Sequence, residues 1–166
     1  MSKYSKPLLF KNLNMGQRLQ LIKEIYPDAK IIFIRRDPRF VVRSILVARE
    51  KLGLDPDEWW SVRPPNHERF IGLPEIEMCA AQVFYIEDQI KKDLEILDSN
   101  NVFTIQFNQL SEEKIDEIAS ALGLTKKQGT LMPIFQKDEV SSLSSPEFAS
   151  IGSAIQKFEF EKELFV

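Results

Sequence analysis

The spacing of apolar residues changes several times along this 166-residue chain, and each change predicts a new element. Pro7 to Lys11, PLLFK, is a short apolar run behind a proline and predicts a strand, followed by a link containing Asn and Gly, residues 12–16. Leu19, Ile22 and Ile25 then fall at helical spacing and stop at Pro27, so a helix is expected to end near Tyr26. Lys30 to Arg35, KIIFIR, is an unbroken β-branched and aromatic run, the pattern of a strand covered on both faces. Pro38 opens another helix where its missing N–H costs nothing, and that helix should run to about Leu52, before Gly53. Strand, helix, strand, helix in this order predicts a right-handed parallel unit, and so an α/β fold.

Residues 53–74 hold four prolines, two adjacent tryptophans and the only histidine. This is the composition of an irregular excursion, with one short helix expected at about Asp57 to Ser61. Ile76, Val83, Ile90, Leu94 and Leu97 mark a long amphipathic helix ending near Asn100, and Val102 to Phe107, VFTIQF, predicts a third strand. Ser111 is a suitable N-cap, Glu112 and Glu113 complement the helix dipole, Ile115, Ile118 and Leu122 supply a face, and Gly123 ends the helix. Beyond Gly129 the pattern weakens, leaving one helix around Pro146 to Phe158 and no internal repeat.

A chain of this length with 43% hydrophobic residues suits one domain with its own core. The net charge of −3 hides a strong asymmetry. Residues 1–51 hold 12 Lys/Arg against 4 Asp/Glu, net +8, whereas residues 52–166 hold 10 against 21, net −11. A basic first third implies an anionic partner such as a phosphate-bearing small molecule, and the lack of aromatic interleaving or a basic low-complexity tail argues against nucleic acid. No apolar run is long enough for a signal peptide or a membrane span, so a soluble, cytoplasmic protein is expected. The single cysteine, Cys79, rules out an internal disulfide and argues against a zinc cluster. With Ile76, Ala80 and Val83 at helical spacing around it, Cys79 reads as a core thiol.

The chemistry concentrates in PDAKIIFIRRDPRFVVRS, Pro27 to Ser44. In a parallel α/β sheet, ligands bind at the carboxyl ends of strands, where the next helix offers unpaired N–H groups and the positive end of its dipole. Arg36 falls at such an end, Arg39 in the first turn of the following helix, and Ser44 eight residues after Arg36. A guanidinium and a hydroxyl converging there make a phosphate pocket. The alternative is purely structural: Asp37 pairs with Arg39 or Arg43, and the remaining arginines are solvated.

YPDAKIIFIRRDPRFVVRS resembles the second cofactor signature of the sulfotransferases that use 3′-phosphoadenosine 5′-phosphosulfate (PAPS). It has the proline-containing turn, the strand, Arg-Asp-Pro-Arg, and Ser eight residues after the first Arg. The resemblance implies a three-layer parallel sheet with flanking helices, the P-loop-NTPase-like sulfotransferase fold, and assigns Arg36 and Ser44 to the cofactor's 3′-phosphate, with Arg39 beside them. LLFKN is similar to the family's Lys-Asn-Pro segment, which makes Lys11 the candidate catalytic lysine, stabilising the bridging oxygen as sulfate leaves; Leu13 stands where the family usually has proline. VAREKLGLDPDEWWSVRPP is similar to the segment that follows the signature in a bacterial branch of the family. In FNQL an amide, Asn108 or Gln109, stands at the family's acidic position. The resemblance covers about residues 8–124 and is strongest over 26–44.

One half of the family's cofactor site has no counterpart. The loop resembling Pro-Arg-Ser-Gly-Thr, whose N–H groups hold the 5′-phosphosulfate, is missing, because none of the six glycines lies in such a context. The family's base, a Glu or His, commonly lies between that loop and the signature and is expected to be missing too. Glu24 and Asp28 read as surface charges; His67 is the one candidate replacement base, against the plainer reading of an idle loop histidine. Trp59 and Trp60 either flank a ligand or pack on the body of the domain.

The resemblance therefore implies an incomplete sulfotransferase domain over residues 1–128, with residues 129–166 as a tail packed on it. The implied activity is transfer of a sulfuryl group from PAPS to a hydroxyl or amine acceptor, with adenosine 3′,5′-bisphosphate leaving and no metal involved. Transfer requires the missing loop to come from a complementing chain, or the sequence to be a truncated product. The alternative is a non-catalytic relative that serves as a nucleotide-binding or protein-interaction module. A half-sheet leaves an open edge and apolar face, which predicts homo-oligomerisation.

Overall fold

The computed structural model describes residues 7–135, 137–160 and 164–165. The fold is α/β, with five α-helices and a two-stranded parallel sheet among the described residues. Helix α1 is Leu19–Ile25, strand β1 Ile31–Arg35, helix α2 Pro38–Leu52, helix α3 Glu75–Leu94, strand β2 Val102–Gln106, helix α4 Glu112–Ala121 and helix α5 Pro146–Ile155. The register pairs Ile31 with Val102 and Arg35 with Gln106, so both strands end at the same level.

Local chemistry explains most of the boundaries. Asp37 caps α2 by accepting from the Arg39 N–H at 2.9 Å, and Pro38 follows as the first helical residue. Gly53 closes α2 at φ 64°, a left-handed conformation that disfavours a side chain, and its N–H and that of Leu54 donate to the Glu50 and Arg49 carbonyls. Ser111 caps α4 by accepting from the Lys114 N–H at 3.2 Å, and Ser145 caps α5. Helices α2, α3 and α5 pack together around Phe40, Val42, Cys79, Ala80, Val83, Phe148 and Ile151. Phe40 and Phe148 meet edge to face at 5.1 Å. No helix among the described residues is long and apolar enough to cross a membrane.

Several expectations fail for identifiable reasons. Pro7–Lys11 forms no strand: residues 7–12 run without regular structure, with Leu8, Leu9 and Phe10 at 69%, 88% and 72% exposure. With no strand paired to it among the described residues, the segment's backbone is left to water. Nor is β1 covered on both faces, since Ile32 and Ile34 are exposed. An unbroken apolar run reports what a strand is able to bury, not what covers it. The helix expected at Asp57–Ser61 is replaced by turns, because Arg49 draws the carbonyls of Asp55, Pro56 and Glu58 away from helical partners. A short 3-10 helix, His67–Phe70, appears instead. Helix α3 stops at Leu94, and α5 at Ile155.

Candidate functional site

Arg36 is the first residue beyond β1, and the register sets it beside Phe107, the first residue beyond β2. Its guanidinium lies 4.7 Å from the Phe107 ring centroid and 5.7 Å from that of Phe40. Arg36 Nε donates to both carboxylate oxygens of Asp138 at 3.0 Å, and Nη2 donates to Asp138 as well. This fork closes one side of a pocket of about 160 Å³ at the carboxyl ends of the two strands. Gln106 and Asn108 supply further polar walls, and Leu164 and Phe165, near the carboxyl end of the chain, complete it.

The other arginines of the basic stretch also have carboxylate partners. Arg35 Nε donates to Glu87 on α3 at 2.6 Å. Arg39 Nε donates to the two oxygens of Asp37 at 3.0 and 3.1 Å, and Arg43 Nε donates to Glu147, at the start of α5, at 3.0 Å. Asp37 thus both caps α2 and neutralises Arg39, one of the two pairings expected for it.

Among the sequence-predicted residues, the pocket contains Arg36 and not Lys11, Arg39 or Ser44. Ser44 is exposed on α2, and its hydroxyl donates to the Phe40 carbonyl one turn back at 2.8 Å, toward the strand end. Arg39 carries the ring of Phe165 at 5.2 Å. Lys11 is exposed on the irregular segment before α1. His67 lies in a separate groove of about 680 Å³, whose walls include Arg18, Arg63, Asn66 and the buried Asp93. Its ring packs edge-on against Trp59 at 5.2 Å, and Trp59 Nε1 donates to the Val62 carbonyl at 3.1 Å. Glu24 and Asp28 are exposed.

Sequence reasoning missed the aromatic platform at Phe107 and the carboxylate at Asp138. Phe107 was placed in a strand, and Asp138 lies where no hydrophobic period exists to position it.

The sulfotransferase family pattern matches residues 1–126, and the chain belongs to that family. No curated protein and no solved structure matches it.

Proposed function

We propose that this chain carries the 3′-phosphate half of a PAPS site, with Arg36 and Ser44 as ligands of that phosphate and Arg39 as supporting charge. The observation that carries this reading is the position of Arg36: at the carboxyl end of β1, in a pocket, immediately before the amino terminus of the 15-residue helix α2. A guanidinium gives a phosphate two parallel charge-assisted hydrogen bonds, and the helix terminus adds a favourable dipole. A pocket of about 160 Å³ suits one phosphate group. It is well below the ~300 Å³ at which ordinary small-molecule sites begin.

The fold assigned is the three-layer, P-loop-NTPase-like sulfotransferase architecture, incomplete over residues 1–128, with residues 129–166 as a tail on the same domain. When bound, PAPS supplies the sulfuryl group that passes to an acceptor hydroxyl or amine. Arg36 and Ser44 hold and orient the nucleotide, and Lys11 is assigned to the leaving side by resemblance. The 5′-phosphosulfate loop is assigned to a complementing chain. The non-catalytic reading, a nucleotide-binding or interaction module, is favoured by the small size of the pocket. The catalytic and nucleotide-binding readings share the phosphate site.

A ligand that binds only the folded state raises its melting temperature in a concentration-dependent way. Adenosine 3′,5′-bisphosphate is expected to do so, whereas adenosine 5′-monophosphate, which lacks the 3′-phosphate, is expected to have little effect. Equal shifts from the two would contradict the 3′-phosphate assignment.

A further inference from the structure

We infer that Asp138 is an intramolecular competitor for the anion site at Arg36, and that the segment carrying it gates that site. The inference rests on the reading of Arg36 as an anion ligand and adds what occupies it before the anion arrives. Asp138 takes the Nε–Nη2 edge of the Arg36 guanidinium, so a phosphate that binds through that edge must displace it.

Asp138 differs from the carboxylates that pair with Arg35, Arg39 and Arg43. Glu87 lies within α3, Asp37 caps α2, and Glu147 lies in the first turn of α5. Asp138 belongs to no helix or strand. Moving its backbone disturbs only the short 3-10 helix Val140–Ser144 that follows, whereas moving the backbone at any of the others disturbs an α-helix or its end. The Asp138 side chain is nonetheless buried, 6% exposed, against an Arg36 side chain that is 32% exposed, so the pair is half-buried rather than a passing surface contact.

The same pocket receives two residues from near the end of the chain. Leu164 is 2% exposed, and Phe165 covers the Arg39 guanidinium. All three covering residues lie beyond the family match, which ends at residue 126. Between them, α5 is fixed in the core by Phe148, Ile151, Ala154 and Ile155. The tail is therefore anchored by α5, and the part that opens is the segment carrying Asp138 ahead of it. If the closed arrangement outweighs the open one by about ten to one, apparent anion affinity falls about tenfold.

The test compares the full-length wild type with Asp138→Asn, an isosteric change that removes the charge. Nucleotide titration and backbone hydrogen exchange are read over residues 140–145, where Ser142 and Ser145 N–H groups are bonded in the closed form. Asp138→Asn is expected to bind adenosine 3′,5′-bisphosphate about tenfold more tightly and to exchange faster in that segment without ligand. In the wild type, saturating nucleotide is expected to produce the same faster exchange. Equal affinity in the two proteins, with no opening on binding, would overturn the gate and leave the cofactor reading standing. Should neither protein bind nucleotide, inorganic pyrophosphate reads the gate alone. Opening of wild type by pyrophosphate keeps the inference and removes the cofactor reading; no opening by either anion overturns the gate.

Discussion

Arg49 in the last turn of α2 donates through Nε to Glu75, the first residue of α3, at 2.7 Å, and so joins the two helices at their ends. The same guanidinium donates to the carbonyls of Asp55 and Pro56 at 2.8 and 3.1 Å and to that of Glu58. With 1% of its side chain exposed, Arg49 organises the Trp-containing loop from inside. Arg49→Met keeps much of the volume and leaves those carbonyls without their donor. The expected loss of stability is about 3 kcal/mol, measured by chemical denaturation. A loss below about 1 kcal/mol would mean that Gln82, which donates to the Trp60 and Val62 carbonyls, holds the loop without help.

Cys79 lies in the core, and burial pushes its thiol from 9.0 up to about 12. At pH 8 the folded protein then holds roughly a thousandfold less thiolate than the unfolded chain. Iodoacetamide should label it slowly under native conditions and readily in denaturant. The raised value favours the protonated form in the fold, so its contribution to stability is complete below pH 9.0 and is lost as pH rises toward 12. Native labelling at the denatured rate would show that the core around Cys79 opens.

Ile34, 51% exposed on a strand with one edge unpaired among the described residues, makes β1 a template for association. Sedimentation velocity is expected to show concentration-dependent self-association of the wild type. Ile34→Lys should suppress it with little change in melting temperature, since the side chain is half in water already. A monomeric wild type at high concentration would remove the argument from the open strand.

Ser44 has its hydroxyl tied back to the Phe40 carbonyl. Ser44→Ala is expected to leave stability nearly unchanged, because such back-bonding contributes little to a helix. Nucleotide affinity should fall about tenfold for the loss of one phosphate hydrogen bond. An unchanged affinity would remove Ser44 from the site.

What the sequence made legible follows the range of the forces involved. Helix α2 from Pro38 to Leu52 could be read because its start and stop depend on Asp37, Pro38 and Gly53, all within the chain's immediate neighbourhood. The same is true of α4, with Ser111 before it and Gly123 after it. Arg36 could be placed at a strand end because the KIIFIR run fixes where β1 stops.

Long-range pairing was not legible. The carboxylate on Arg36 lies 102 positions away, in a segment with no period to place it. The failed strand at residues 7–11 has the same origin. Its composition suits a strand, but a strand needs an adjacent edge, and PLLFK by itself carries no information about one. The Asp57–Ser61 helix failed because Arg49, some way upstream, takes the carbonyls a helix would use.

The central claim, that Arg36 holds the 3′-phosphate of adenosine 3′,5′-bisphosphate, is tested most directly by calorimetric titration of that nucleotide into wild type and Arg36→Ala. Saturable heat in the wild type, with affinity reduced at least roughly tenfold in Arg36→Ala, is the predicted result. Equal binding by both proteins, or no heat from the wild type, would contradict it.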